Sequence, residues 1–362
     1  MTLLRTADSR ITAVGELITP ASLRAAVPIS AAARGVVVRA REDIARVLRG
    51  EDDRLAVIVG PCSVDSPDAT LAYARRLAGL AQRFGDTLLI VMRVYVEKPR
   101  TRLGWKGFVN DPHLDGTHDL NLGLRMSREL LREVLGTGLP IGCEFLDPLT
   151  PRYLSDAVSW ASIGARTVQS QIHRQLSSSL SMPVGIKNAT SGRVEDAVDA
   201  VIAAGHGHVF PGITDDGTAA ALTSSGNPDC HVVLRGGSSG PNYGPLDVAA
   251  ALDLLDSAGL PEHLVIDASH GNSGKDHERQ PHVVADIGGR IATGEKGIAG
   301  VMLESYLVPG RQDLVPGRAD LLTYGQSITD ACAGWEATVS MVQQLAESVE
   351  TRRAARPPAL VV

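Results

Sequence analysis

Residues 55–84, LAVIVGPCSVDSPDATLAYARRLAGLAQRF, place one apolar run directly before one helical pattern. The run LAVIVG is continuously apolar and rich in β-branched residues, as a parallel strand buried on both faces requires. Ser66 and Pro67 follow as a helix cap and a first helical residue, and apolar side chains then recur at helical spacing. This stretch therefore predicts one β/α unit.

Similar units continue along the chain, with apolar runs and helical stretches mostly in alternation. Eight such runs predict a closed (β/α)8 TIM barrel. The segment from Val209 to Cys230 is irregular and predicts a β-hairpin inserted between two units. The predicted strands are LAVIVGPCS, LLIVMRVYV, LPIGCEFL, ARTVQS, PVGIKN, HVVLRGG, HLVIDASH and GIAGVMLES.

The barrel is predicted to occupy residues 54–350. Before it, residues 1–53 predict an arm and then a helix rich in Ala and Arg, SAAARGVVVRAREDIARVLRG. After it, residues 351–362 predict a C-terminal tail. We expect the N-terminal extension to serve packing or assembly.

Composition excludes several classes of protein. The chain has 362 residues, of which 44% are hydrophobic and 21% charged, as in ordinary globular proteins. Its formal net charge of -6 argues against nucleic acid as the main partner. We expect a cytoplasmic protein, because no apolar run is long enough to span a membrane and the N-terminus lacks a signal-peptide pattern. Zinc knuckles and CxxC pairs are excluded by the wide spacing of Cys62, Cys143, Cys230 and Cys332.

Polar side chains follow the ends of the predicted strands. In a (β/α)8 barrel the active site lies at the carboxyl ends of the strands. Strand four differs, because its predicted run has Arg166 early and Gln169 and Ser170 late. The residues at the other seven strand ends are Cys62, Arg93, Glu144, Lys187, Arg235, His270 and Glu304.

The segment 93–108, RVYVEKPRTRLGWKGF, carries five basic residues and one acid, Glu97. Two glycines let its backbone approach a ligand, and Pro99 fixes the turn beside Lys98. A solvated surface loop is the simpler alternative. Arg93 and Lys98 of this segment are expected to form one basic cluster with three residues of other strands, Arg166, Lys187 and Arg235. Such a cluster favours an anionic ligand, for example one that carries a phosphate and a carboxylate.

A second group of residues predicts a metal site. Cys62, His270 and Glu304 end strands one, seven and eight, which are neighbours in a closed barrel. Asp330, in SITDACAGWE, can complete the set. Mixed sulfur, nitrogen and oxygen ligands fit one divalent ion of Mn, Fe, Co or Zn better than Mg. Cys62 as a small buried hydrophobe is the alternative.

With these residues in place, the sequence resembles the class I 3-deoxy-D-arabino-heptulosonate 7-phosphate (DAHP) synthases. The resemblance runs from about residue 53 to residue 344 and implies a barrel with an N-terminal extension. It is carried by DDRLAVIVGPCSVDSP, MRVYVEKPRTRLGWKGFVNDPHLDG, EFLDPLTPRYL, WASIGARTVQSQIHR, MPVGIKNATSG, GNPDCHVVLRGG, IDASHGNSGKD, GVMLESYL and SITDACAGWE.

The resemblance implies condensation of phosphoenolpyruvate with erythrose 4-phosphate and water. Cys62, His270, Glu304 and Asp330 would then bind the metal. Lys98 would transfer a proton or stabilise charge, with Glu144 to orient it and His270 as a third catalytic residue. Phosphoenolpyruvate would contact Arg93, Lys98, Ala165, Arg166, Lys187 and Arg235, and erythrose 4-phosphate would contact Pro99, Arg100, Thr101 and Asp330.

Two other functions remain open at the level of sequence. A synthase of the eight-carbon acid from arabinose 5-phosphate has the same chemistry, but the motif KPRT favours the four-carbon aldehyde. A phospho-sugar sensor without activity is expected to have lost a ligand, and this sequence retains all of them.

The resemblance also implies an aromatic amino acid effector and a homodimer or homotetramer. Tyrosine is favoured over phenylalanine, because Gly212 leaves room for the phenol hydroxyl, and a vestigial pocket is the alternative. The arm from Arg5 to Ser22 is expected to pack on a neighbouring subunit through Ile11, Val14, Leu17 and Ile18. The expected effector residues are Asp147, Pro148, Ser181, Phe210 and Gly212.

Overall fold

The structure is a computed structural model that describes residues 10–355. Eight parallel strands close a barrel, as the sequence predicts, in the spatial order β1-β10-β9-β8-β5-β4-β3-β2. They are β1 (Leu55–Gly60), β2 (Leu88–Arg93), β3 (Ile141–Glu144), β4 (Trp160–Ile163), β5 (Val184–Lys187), β8 (Cys230–Leu234), β9 (Leu264–Asp267) and β10 (Ile298–Glu304).

Ten helices surround or extend the barrel in the part of the chain that the structure describes. Ser66 caps α3 by accepting a hydrogen bond from the Ala69 backbone N–H, as its position before Pro67 predicts. The helices are α1 (Pro20–Ala26), α2 (Ala31–Leu48), α3 (Pro67–Arg83), α4 (Leu120–Gly136), α5 (Thr150–Leu154), α6 (Gln171–Ser179), α7 (Glu195–Ala204), α8 (Pro245–Ser257), α9 (Gln280–Ala292) and α10 (Trp335–Ala354).

The predicted fourth strand, ARTVQS, is wrong. The strand is the preceding run WASI at Trp160–Ile163, and residues 165–169 form consecutive turns. Thr167 and Ser170 donate backbone hydrogen bonds to the carbonyls of Gly164 and Thr167, which curls the segment away from the sheet. Arg166 therefore lies just after the carboxyl end of its strand. The polar residues of the other seven strands also lie at, or just after, a carboxyl end.

Helix α2 closes the amino end of the barrel. Its residues Ile44, Val47 and Leu48 pack in one cluster with interior barrel residues that include Ile58 and Trp160. The N-terminal extension is thus part of the barrel core, and the polar carboxyl end of the barrel is left open for a site.

The segment before α2 is also anchored to this chain. Leu23, Val27 and Ile29 are buried in the main core. Arg128 of α4 is 1% exposed and donates to the Val27 carbonyl at 2.8 Å. Ile18, predicted to meet a neighbouring subunit, instead packs on this core, and Asn121 of α4 hydrogen bonds to the backbone of Glu16 and Ile18. The arm that is free to meet a neighbouring subunit therefore ends before Glu16, and residues 1–9 lie outside the described residues.

The tail differs from its predicted boundary, because α10 continues past residue 350 to Ala354. Arg353 forms an ion pair with Asp53, which ties the end of this helix to the segment before β1. Residues 356–362 lie outside the described residues.

The inserted hairpin is present as the antiparallel pair β6 (Val209–Ile213) and β7 (Ala219–Thr223). Asp215 at its turn forms ion pairs with Arg24 of α1 and Arg152 of α5. A small parallel ribbon of β11 (Val308–Arg311) and β12 (Gln326–Ser327) follows the last barrel strand. Among residues 10–355, no helix has the length and apolarity that crossing a membrane requires.

Candidate active site

One cavity of about 860 Å³ opens at the carboxyl end of the barrel. The residues that the sequence analysis assigned to substrates, metal and catalysis all line it, although they come from distant parts of the chain. They are Cys62, Arg93, Lys98, Pro99, Arg100, Thr101, Glu144, Ala165, Arg166, Lys187, Arg235, His270, Glu304 and Asp330.

The metal-side residues converge on one wall of this cavity. Ligand atoms of Cys62, Glu304 and Asp330 all lie within 4.8 Å of one another, which is close enough to hold one ion. His270 adjoins them, with Nε2 3.5 Å from Glu304 Oε1. Lys98 Nζ lies among the same donors, 2.7 Å from Cys62 Sγ and 2.9 Å from Asp330 Oδ2.

The electrostatics of this wall favour a cation. Burial raises the pKa of the Cys62 thiol to about 12, and the nearby Glu304 carboxylate adds to the shift. Burial would also raise the pKa of Asp330, but the Lys98 ammonium holds it below its ordinary value. A positive charge at this point therefore stabilises the anionic forms of both side chains.

Glu304 is held in place from two sides. Gln280 donates to the Glu304 carbonyl at 2.9 Å and accepts from its backbone N–H at 3.0 Å. Arg93 donates to the Glu304 carboxylate at 3.1 Å, and its guanidinium lies 4.1 Å from the centre of the Tyr95 ring. Arg93 thus orients a metal-side carboxylate as well as lining the cavity.

Of the five basic residues predicted to bind phosphoenolpyruvate, Arg93, Lys98 and Lys187 form ion pairs with described carboxylates, and Arg166 and Arg235 form none. Arg235 is 9% exposed and donates to the Gly236 carbonyl, and burial lowers the pKa of its guanidinium. Arg166 donates to the hydroxyl of Thr101 at 3.0 Å. Because an unpaired buried cation is costly, Arg235 marks where an anion binds, and the exposed Arg166 lines the same cavity.

Glu144 faces the cavity without the partner that the sequence analysis expected. Among the described residues, no side chain hydrogen bonds to its carboxylate, and Lys98 contacts Cys62 and Asp330 instead. Gly164 makes room for it, since a Cβ there would lie 2.2 Å from Glu144 Oε1. The carboxylate is therefore placed to receive a proton from a ligand.

Comparison with known proteins identifies the family. A model of the DAHP synthetase I family matches residues 26–343. The chain belongs to that family. A phospho-2-dehydro-3-deoxyheptonate aldolase of Corynebacterium glutamicum is 49% identical over 355 residues, which cover 97% of this chain and 96% of that protein. A Phe-sensitive aldolase of Escherichia coli K12 is 50% identical over 346 residues, which cover 96% and 98%.

A solved structure agrees with this assignment. The phospho-2-dehydro-3-deoxyheptonate aldolase of Francisella tularensis has a TM-score of 0.92 and 46% identity, over 95% of this chain and 99% of that chain. Membership of the DAHP synthetase I family gives the chain DAHP synthase activity, the first step of aromatic amino acid biosynthesis. Other relatives are named Trp-sensitive or Tyr-sensitive, so effector specificity varies among them.

Three buried asparagines support the candidate active site and were missed by the sequence analysis. Asn188 Oδ1 accepts from the Arg235 backbone N–H at 2.8 Å and from Asn242 Nδ2 at 3.1 Å. Asn272 donates to the carbonyl of Asp267 at 2.8 Å. An asparagine stands in each of the motifs KNATSG, GPNYG and SHGNSG, and that was the available signal.

A second cavity of about 720 Å³ lies between α6, the loop after β3 and the hairpin. It is lined by four of the five residues that the sequence analysis assigned to an effector, Pro148, Ser181, Phe210 and Gly212. Asp147 is absent from its lining. The Asp147 backbone N–H instead donates to the Glu97 carboxylate at 3.1 Å, which connects this loop with the segment that carries Lys98.

Proposed function

We propose that this chain condenses phosphoenolpyruvate with D-erythrose 4-phosphate and water, releasing DAHP and inorganic phosphate, in the cavity around Lys98. The observation that carries the proposal is that one cavity contains two kinds of group. Arg166 and Arg235 have no carboxylate partner among the described residues, and Cys62, Glu304 and Asp330 lie close enough together to hold a metal ion. Binding an enol phosphate needs the first group, and activating an aldehyde needs the second.

Phosphoenolpyruvate binds to the cationic side. Arg166 and Arg235 take its phosphate and carboxylate, since guanidinium groups bind such oxygens in bidentate pairs. Lys187, at 4% exposure, and Arg93, at 1%, line the same cavity and are each paired with one carboxylate. Ala165 precedes Arg166 in the chain and lines the same cavity, so it is proposed to contact the ligand. Held in this way, C3 of the enol faces the second substrate.

Erythrose 4-phosphate binds toward the loop 98–101. This loop lies at the rim of the cavity, with Arg100 and Thr101 exposed where a phosphate can enter. Pro99 fixes the turn between them and Lys98, and Asp330 accepts a hydrogen bond from Lys98 at 2.9 Å. The aldehyde end of the sugar then lies beside the Lys98 ammonium.

The donor set fits one divalent metal. Cys62, His270, Glu304 and Asp330 supply a thiolate, an imidazole and two carboxylates, which suits Mn, Fe, Co or Zn. The Lys98 ammonium, which lies 2.7 Å from Cys62 Sγ and 2.9 Å from Asp330 Oδ2, supports this proposal, because these side chains already surround one positive charge. When bound, such a metal polarises the aldehyde oxygen as a Lewis acid.

The side chains then carry the proton transfers. As C3 bonds to the aldehyde carbon, Lys98 donates a proton to the aldehyde oxygen. Water adds to the cationic C2, and Glu144 takes the proton that this water loses. The C2–O bond to phosphate then breaks, phosphate leaves with the electron pair and the C2 hydroxyl proton, and a ketone forms. Solvent reprotonates Lys98 and takes the proton from Glu144.

A competition between two sugars tests this proposal. Purified enzyme is given phosphoenolpyruvate with equal erythrose 4-phosphate and arabinose 5-phosphate, and the keto acids are separated by mass. We expect the seven-carbon product to dominate. A dominant eight-carbon product would transfer the chain to the alternative synthase, and no product from either sugar would favour a sensor.

The second cavity is proposed to bind an aromatic amino acid, with tyrosine favoured over phenylalanine. At Gly212 a Cβ would lie 2.5 Å from Leu222 Cδ1, so a side chain there displaces Leu222 into the cavity. Tyrosine is therefore expected to inhibit the parent and to inhibit Gly212→Ser less. Stronger inhibition by phenylalanine at matched concentration would overturn this choice, and inhibition by neither would indicate a vestigial pocket.

The protein is further proposed to be a cytoplasmic homodimer or homotetramer assembled through its arm. Ile11 and Val14 are 56% and 91% exposed, which leaves apolar surface for a second subunit to cover. Deletion of residues 1–16 should lower the mass measured by light scattering. The deletion must stop before Leu23, which is completely buried. An unchanged mass would refute the role of the arm.

A further inference from the structure

Asp267, the last residue of β9, lies between the metal side and the phosphoenolpyruvate side of the cavity. Its side chain is completely buried. Its Oδ2 lies 2.8 Å from His270 Nδ1 and 3.0 Å from Lys187 Nζ. Its Oδ1 accepts from the backbone N–H and the hydroxyl of Ser269, at 3.0 and 2.5 Å. One carboxylate thus contacts both a candidate metal ligand, His270, and a lysine proposed to bind phosphoenolpyruvate, Lys187.

These contacts decide which nitrogen of His270 carries a proton. A carboxylate beside an ammonium is ionised and can only accept hydrogen bonds. The Ser269 hydroxyl already donates its hydrogen to Asp267, so it offers His270 Nδ1 only a lone pair, at 2.8 Å. Nδ1 therefore carries a hydrogen, and Nε2 is the nitrogen that faces Glu304 and the other metal-side residues.

The backbone is bent to make this contact. His270 has a φ of +51°, in the left-handed region that residues other than glycine seldom occupy. This conformation returns the imidazole over Asp267, three residues earlier. Such a conformation persists only where surrounding contacts hold it, and the Asp267 carboxylate is one of them.

We propose that Asp267 is a positioning residue that fixes His270 with Nε2 as its metal-binding nitrogen while holding Lys187 through the same oxygen. This inference rests on the proposed function, because it concerns the metal site named there. Carboxylates that orient metal-binding histidines typically change metal affinity about 10- to 100-fold when removed. An asparagine at position 267 can donate to Nδ1, which would move the imidazole hydrogen to Nε2.

The first test is a titration of metal-free enzyme with Co²⁺, followed by the thiolate-to-cobalt absorption band and without substrates. Asp267→Asn is expected to bind Co²⁺ about 10- to 100-fold more weakly than the parent. Lys187→Arg is the matched control, because it changes the other partner of Asp267 Oδ2 but keeps a positive charge beside the carboxylate and leaves His270 unchanged. Its Co²⁺ affinity should not fall. Unchanged affinity in Asp267→Asn, or equal weakening in both variants, would overturn the proposal.

The second test needs no variant at position 267, so it remains decisive if Asp267→Asn fails to fold. Nitrogen-15 NMR of the histidine rings in metal-free parent enzyme distinguishes the two neutral tautomers, and His270→Gln assigns the signal. We expect hydrogen on Nδ1, and a neutral ring with hydrogen only on Nε2 would overturn the proposal. If the parent binds no Co²⁺, the proposed metal site fails, and the tautomer alone decides the role of Asp267.

Discussion

Lys98 is the residue on which the proposed chemistry depends most. Its ammonium contacts Cys62 and Asp330 and lines the cavity. Lys98→Ala is expected to lower kcat about 100- to 1,000-fold, the range found when a donor to developing negative charge is removed. Steady-state kinetics with added Mn²⁺ measures this.

Lys106→Ala is the matched control for that measurement. Lys106 belongs to the same basic segment, but its side chain is exposed and does not line the cavity. Its kcat should stay within about threefold of the parent, because exposed charges outside a site contribute little. Near-normal turnover in Lys98→Ala would remove the catalytic assignment.

At this scale the sequence predicted which residues meet but not how they pair. Positions such as Arg93, Lys187 and Glu304 could be found because every strand of a parallel barrel points its carboxyl end at one mouth. Pairing depends on the path of loops between strands. For that reason the expected contact of Lys98 with Glu144 is not formed in the structure, and the contacts of Asp267 were not predicted.

Among the elements, α4 gives the clearest prediction for stability. Arg128 donates to the carbonyls of Val27 and Tyr153 and forms two hydrogen bonds with Asp156. Arg128→Met keeps the length of the side chain but removes every donor. We expect a loss of about 2–5 kcal/mol in the free energy of unfolding, because two carbonyls lose a buried donor, at about 1–3 kcal/mol each, and the partly exposed Asp156 loses its ion pair.

Arg125→Met, on the same helix, provides the comparison in urea unfolding. Arg125 pairs with Glu129 on the surface, where its side chain is 55% exposed. Such pairs contribute about 0–1 kcal/mol. If both variants lost the same small amount, Arg128 would not be the anchor between α4 and the N-terminal extension.

The elements were largely predictable, because apolar runs and helix caps are local features. Strand four was not, since WASI and ARTVQS are both short and only tertiary pairing with Gly142 and Val184 selects the first. The position of α2 across the amino end of the barrel was not predictable either. Its spacing showed an amphipathic helix but not what its apolar face covers.

For the whole molecule, His231 predicts how stability depends on pH. Its Nε2 accepts from Trp160 Nε1 at 3.2 Å, and burial lowers the pKa of His231 from 6.5 to about 4. The unfolded chain therefore binds this proton first as pH falls. Stability from neutral His231 is full above pH 6.5 and is lost as pH falls to about 4, by roughly 3 kcal/mol.

Denaturant unfolding of parent and His231→Gln at several pH values isolates this contribution. The difference in unfolding free energy between the two should shrink as pH falls through that window. The variant is needed because Asp65 titrates in the same pH range and acts in the opposite direction. Burial raises the pKa of Asp65 to about 6, so its protonation stabilises the folded state as pH falls. A difference that stays constant with pH would exclude His231.

Phosphate release by the intact enzyme tests the central claim, that Arg166 and Arg235 serve a metal-assisted condensation. Release should require both phosphoenolpyruvate and erythrose 4-phosphate, stop after treatment with EDTA, and return when Mn²⁺ is restored. Release that continues unchanged in EDTA would contradict the metal site. Release from phosphoenolpyruvate alone would contradict the condensation itself.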